Sequence, residues 1–178
     1  GCKAIADTEP LDSLEDVLDK GSALAKTHAA GTLRCLADSV PEYRVGIAEA
    51  VVRILTDGIV EELDCVAQLA HELSFDSGSR AAMSEAGAVP LLVRQIELGS
   101  DIASGYATKA LSKLAQEGTD VRSEVIHQLL CARHRTDDLH GQLRIGQALK
   151  TMNADEEGPG GSESVGMAIL LFRLHNRD

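Results

Sequence analysis

The chain has 178 residues, 44% hydrophobic and 25% charged, with aromatics at only 2% and no Trp. That length allows one domain with a real core, and a core without rings is built from Leu, Ile, Val and Ala, with Ala and Leu favouring helix and strand formers too thinly clustered for a sheet. Seventeen basic residues against 28 acidic ones, a net charge of −11, repel a phosphate backbone, so nucleic acid is excluded as the expected partner.

In chain order, Gly1 and Cys2 come first. Behind an initiator Met they would be neighbouring acylation sites, but Ile5 stands where a Ser or Thr is expected, and the start reads as trimmed. Gly21-Ser22 then opens a helical stretch through Asp38, and Val51 to Gly58 is a second apolar stretch ended by glycine.

The clearest unit runs from Arg80 to Gly118. Arg80 to Ala86 predicts a short helix ended by Gly87, the residue that most cheaply takes a left-handed conformation. Pro90 is tolerable only near a helix start. Val89, Leu92, Val93 and Ile96 fall at helical spacing and mark a second helix stopping near Gly99. Ser100 or Asp101 can cap a third, whose Ile102, Tyr106, Ala107, Ala110, Leu111 and Leu114 recur at three and four.

The pattern repeats. Placing Gly21-Ser22 under Gly99-Ser100 also brings Ala29 under Ala107, Leu33 under Leu111, Leu36 under Leu114 and Ala37 under Ala115. "VVRILTDG" (Val51 to Gly58) matches "LVRQIELG" (Leu92 to Gly99), Leu73 falls under Leu36, and "QALKTM" (Gln147 to Met152) echoes "KALSKL" (Lys109 to Leu114) in a weaker fourth copy from about Arg122 to Met152. The period is about 40 residues, too few to enclose a core alone, so each unit must bury its stripe on the next.

After Met152 the expected layout is an acidic Gly-rich linker over 153–164, then an apolar helix over 165–178. The linker holds Asp155, Glu156, Glu157 and "GPGGS" (Gly158 to Ser162), with no Lys after the glycines as a phosphate loop would need. The longest apolar run, Met167 to Phe172, is too short to span a bilayer.

"RAAMSEAGAVPLLVRQIELGSDIASGYATKALSKLAQEG" (Arg80 to Gly118) and "GSALAKTHAAGTLRCLAD" (Gly21 to Asp38) resemble the armadillo repeat, and the likeness covers roughly Leu11 to Met152. The resemblance implies an all-α, armadillo-type right-handed α-solenoid of about four three-helix repeats over 1–152, whose third helices line a concave groove. In importin-type members an Asn ladder and a Trp shelf in that groove bind an extended peptide. Here the ladder positions hold Cys35, Glu72, Lys113 and Thr151 and the shelf positions Gly31, Gln68, Lys109 and Gln147, so that recognition mechanism is not expected.

The expected binding surface is therefore a mixed-charge groove, Arg34, Cys35, His71, Glu72, Lys113, Lys150 and Thr151, together with Ile169, Leu170 and Phe172 in the apolar tail. His127 and Cys131, four apart, share a helix face, but a metal site or a catalytic dyad needs further groups that spacing does not supply. His71-Glu72 lacks the second His of a zinc-protease motif. Cys2, Cys35, Cys65 and Cys131 show no CxxC pairing and read as reduced, buried thiols.

The expectation is thus a non-enzymatic protein-interaction or scaffold module. It carries no cofactor, metal or catalytic residue, and is a fragment or subunit of a larger assembly with protein partners, intracellular and most simply cytoplasmic. Two alternatives stay open: the armadillo region of a ubiquitin-ligase-type enzyme, and an acylated membrane-tethered adaptor.

Overall fold

A computed structural model describes residues 11–57 and 63–154. The expectations placed on Gly1, Cys2, Gly58, most of the linker and the tail residues Ile169, Leu170 and Phe172 lie outside these residues. Among the described residues the chain is all helical: α1 (Leu11–Lys20), α2 (Ala23–Ser39), a 3-10 turn (Pro41–Tyr43), α3 (Arg44–Asp57), α4 (Asp64–Leu73), α5 (Ser77–Glu85), α6 (Ala88–Leu98), α7 (Asp101–Leu114), α8 (Thr119–Arg135) and α9 (Leu139–Ala154). α9 continues into the span expected to be linker.

The turn residues act through distinct physical causes. Gly87 sits between α5 and α6 at φ 82°, ψ 35°, a left-handed conformation that a side chain would strain. Pro90 is the third residue of α6, where no intrahelical N–H is required. Gly21 and Gly99 close their turns by donating N–H to the carbonyl oxygens of Val17 and Gln95, at 2.9 and 3.0 Å, and a Cβ on either would collide with that same oxygen. The serines that follow cap the next helices: Ser22 Oγ accepts from Ala25 N at 3.4 Å, and Ser100 Oγ accepts from Ala103 N at 3.0 Å.

The short, medium and long helices expected of a unit appear as α5, α6 and α7, with α5 starting earlier than Arg80 because Asp76 caps it by accepting from Ser79 N at 2.9 Å. The last copy departs from that plan. Thr119 to Arg135 contains neither Gly nor Pro, so nothing breaks the backbone and the first two helices are fused into α8.

Packing follows the sequence pattern. α2 packs on α4, α4 on α7 and α7 on α9, while α1 packs on α3, α3 on α6 and α6 on α8. The positions that align between copies are buried together: Leu33 with Leu111, Leu36 with Leu73 and Leu114, Ala29 with Ala107, Ala37 with Ala115. Ile102 departs from the expected stripe and is 60% exposed, as is its aligned counterpart Leu24 at 68%. Ion pairs also join these helices. Arg53 of α3 pairs with Glu15 of α1, and Arg135 of α8 pairs with Glu97 of α6 at 2.8 Å.

Candidate functional site

α2, α4, α7 and α9 each carry exposed polar positions. Between α2 and α4 a cleft of about 190 Å³ is lined by residues that include Gly31, Arg34, Cys65, Gln68 and Glu72. Between α7 and α9 a larger cleft of about 490 Å³ includes Gly105, Lys109, Arg144, Gln147 and Thr151. The repeat alignment maps the walls of one cleft onto the other: Thr27 on Gly105, Gly31 on Lys109, Gln68 on Gln147 and Glu72 on Thr151.

Between these clefts the α4 and α7 seam is filled by aromatic rings. His71 lies 5.1 Å from Phe75 and 5.9 Å from Tyr106, centroid to centroid. Lys109 Nζ stands 5.5 Å from the Tyr106 ring centroid and Lys113 Nζ 5.3 Å from that of Phe75, within cation–π range. Phe75 is 63% exposed. Burial, followed by the nearby charge of Lys109 and then that of Lys113, holds the His71 imidazole below its ordinary value of 6.5, against an opposing pull from Glu72.

The structure brings together part of the expected groove. Arg34 Nε meets Glu72 Oε2 at 3.2 Å across α2 and α4, and Gln68 Nε2 donates to Glu72 Oε1 at 3.0 Å. His71, Glu72 and Lys113 thus share one patch with Arg34. Lys150 and Thr151 stand apart on α9, both exposed, with the Thr151 hydroxyl donating to the Gln147 carbonyl at 3.1 Å. Phe75, Tyr106 and Lys109 were not among the expected binding residues. The signal that points to them is rarity: with two Phe and two Tyr in the chain, one of each meets here.

One thiol differs from expectation. Cys35 is disulfide-bonded, while Cys65 and Cys131 are free and half-buried. Burial pushes the Cys65 thiol up, away from the thiolate that nucleophilic or ligand chemistry would use. Cys131 Sγ lies 3.6 Å from His127 Nε2 on one face of α8, as the spacing of four dictates. Among the described residues no group of three or more His, Cys, Asp or Glu is placed to hold a metal ion, and no helix is long and apolar enough to cross a membrane.

The chain matches no model of a protein family, and no curated protein matches it.

Proposed function

We propose that the chain is an armadillo-type α-solenoid of about four repeats that works without catalysis, binding a protein partner along the surface formed by α2, α4, α7 and α9, as a module or subunit of a larger assembly. The observation that carries this reading is the equivalence of the two clefts. When residues two repeat units apart line clefts of matching wall positions, the surface between them is extended and periodic, which suits an extended chain better than a compact small molecule.

The test is affinity capture with the full chain, the groove variant Glu72→Ala/Lys113→Ala, a control altered on the outer face at Arg133→Glu, and a chain truncated before Ser164. Partners held by the full chain, the control and the truncated chain but lost from the groove variant support the reading. Partners kept by the groove variant and lost on truncation would move the binding surface to the tail and contradict it.

A further inference from the structure

Lys109 and Lys113 are set differently from the ion-paired arginines of this acid-rich chain. With 28 acidic residues against 17 basic ones, carboxylates are in surplus, and Arg34, Arg44, Arg53, Arg80, Arg135 and Arg144 each engage one. Among the described residues neither Lys109 nor Lys113 has a carboxylate within ion-pair distance. Each ammonium instead stands over an aromatic ring, Tyr106 for Lys109 and Phe75 for Lys113. A ring face holds a cation in place without neutralising it, so the outward side of each ammonium stays open to an anion. The two lysines are one helical turn apart on α7, roughly 6 Å at Cβ, close enough to flank one extended backbone. Phe75, 63% exposed, provides an apolar platform in the turn that follows α4.

From this arrangement we infer that the α4 and α7 seam binds an extended acidic segment of a partner protein, with a carboxylate at the Lys109 and Lys113 ammonium groups and an apolar side chain on the Phe75 ring. The inference rests on the groove reading above and adds the chemistry of the occupant. Lys113 Nζ stands only 5.3 Å from the Phe75 ring centroid, less than two residues of extended chain, so the fitting segment carries Asp or Glu about one or two residues from its apolar anchor. Charge complementarity selects this occupant: a basic segment would meet two uncompensated ammonium groups.

The probe is a fluorescein-labelled peptide with one central Phe flanked on both sides by Glu and Ser, compared with the same peptide carrying Gln or Lys in place of Glu, each titrated by anisotropy against the full chain. The Glu peptide binds more tightly than the Gln peptide, and its affinity falls with added salt. Lys109→Glu/Lys113→Glu weakens it by about ten-fold or more while improving binding of the Lys peptide, a swap that misfolding cannot produce. Phe75→Ala weakens it by about three-fold without removing the salt dependence. Equal binding of the Glu peptide to the full chain and the double-lysine variant overturns the inference. So does Glu-peptide binding that appears only after Asp155, Glu156 and Glu157 are neutralised, because the chain's own acidic run would then be the occupant. If the Gln or Lys peptide binds best and Glu72→Ala/Lys113→Ala abolishes that binding, the groove reading stands and the acidic occupant alone is wrong.

Discussion

The Ser100 hydroxyl and the Asp64 carboxylate meet at 2.6 Å, joining the N-terminus of α7 to the first turn of α4 while the same oxygen caps α7. Ser22 caps α2 in the aligned position. Ser100→Ala therefore removes a cap and a bond between helices at once, and should cost about 1–2 kcal/mol, more than Ser22→Ala. Thermal unfolding followed by circular dichroism checks this, and equal losses at the two sites would deny the interhelix bond a role.

The aligned core leucines should be costly to shorten. Leu111 is fully buried among aligned residues of neighbouring helices, so Leu111→Ala should destabilise by about 2–5 kcal/mol. Leu143 is 59% exposed, and Leu143→Ala should stay within about 0.5 kcal/mol of the parent. Urea unfolding measures both.

Asp76 is held below its ordinary value of 3.8, first by the backbone N–H of Ser79 and further by the Arg44 guanidinium, 2.9 Å away. A depressed carboxylate adds stability above its unfolded value that is lost as pH falls through the folded one. Asp76→Asn should thus melt below the parent at pH 6, and the gap should close as pH drops below 3.8. A gap that stays constant into acid would show that the carboxylate's charge is not what matters there.

His71 has the same sign of linkage, although the group is a base and not an acid. Its neutral form is favoured in the fold, so the folded protein binds fewer protons than the unfolded chain just below 6.5, and stability falls as pH drops through that value until the lower folded value is passed. Proton NMR titration should place the imidazole midpoint below 6.5, and Lys109→Gln should raise it by removing a neighbouring cation. A midpoint that Lys109→Gln leaves unmoved would show that the Lys109 charge has no part in the shift.

The fold was legible where residues have one physical use. Gly87, Ser100, Pro90 and the aligned leucines announced α6, α7 and their turns because left-handed backbone, capping oxygen and helical spacing leave few alternatives. The fusion of α8 was hidden because periodicity marks an apolar stripe and says little about a missing corner. Arg34, His71, Glu72 and Lys113 were picked from their place in the repeat, and the structure sets them near one another. Phe75 was missed because it lies beyond the last turn of α4, outside any helical period, and Tyr106 because its spacing reads as core while its ring is shared with Lys109. The state of Cys35 was out of reach, since a disulfide depends on what a distant segment brings alongside.

The central claim is that the units succeed one another by a regular step, so that α2, α4, α7 and α9 form one extended surface. Gly31, Gln68, Lys109 and Gln147 are exposed and aligned, one on each of these helices. Pulsed electron spin resonance between a label at position 31 and one at 68, 109 or 147, with Cys65 and Cys131 replaced by Ser, measures that step. The account predicts distances that grow by about 10 Å per helix, to roughly 30 Å at position 147 before label length is added. Three similar distances would mean that the four helices close into a bundle, and would contradict it.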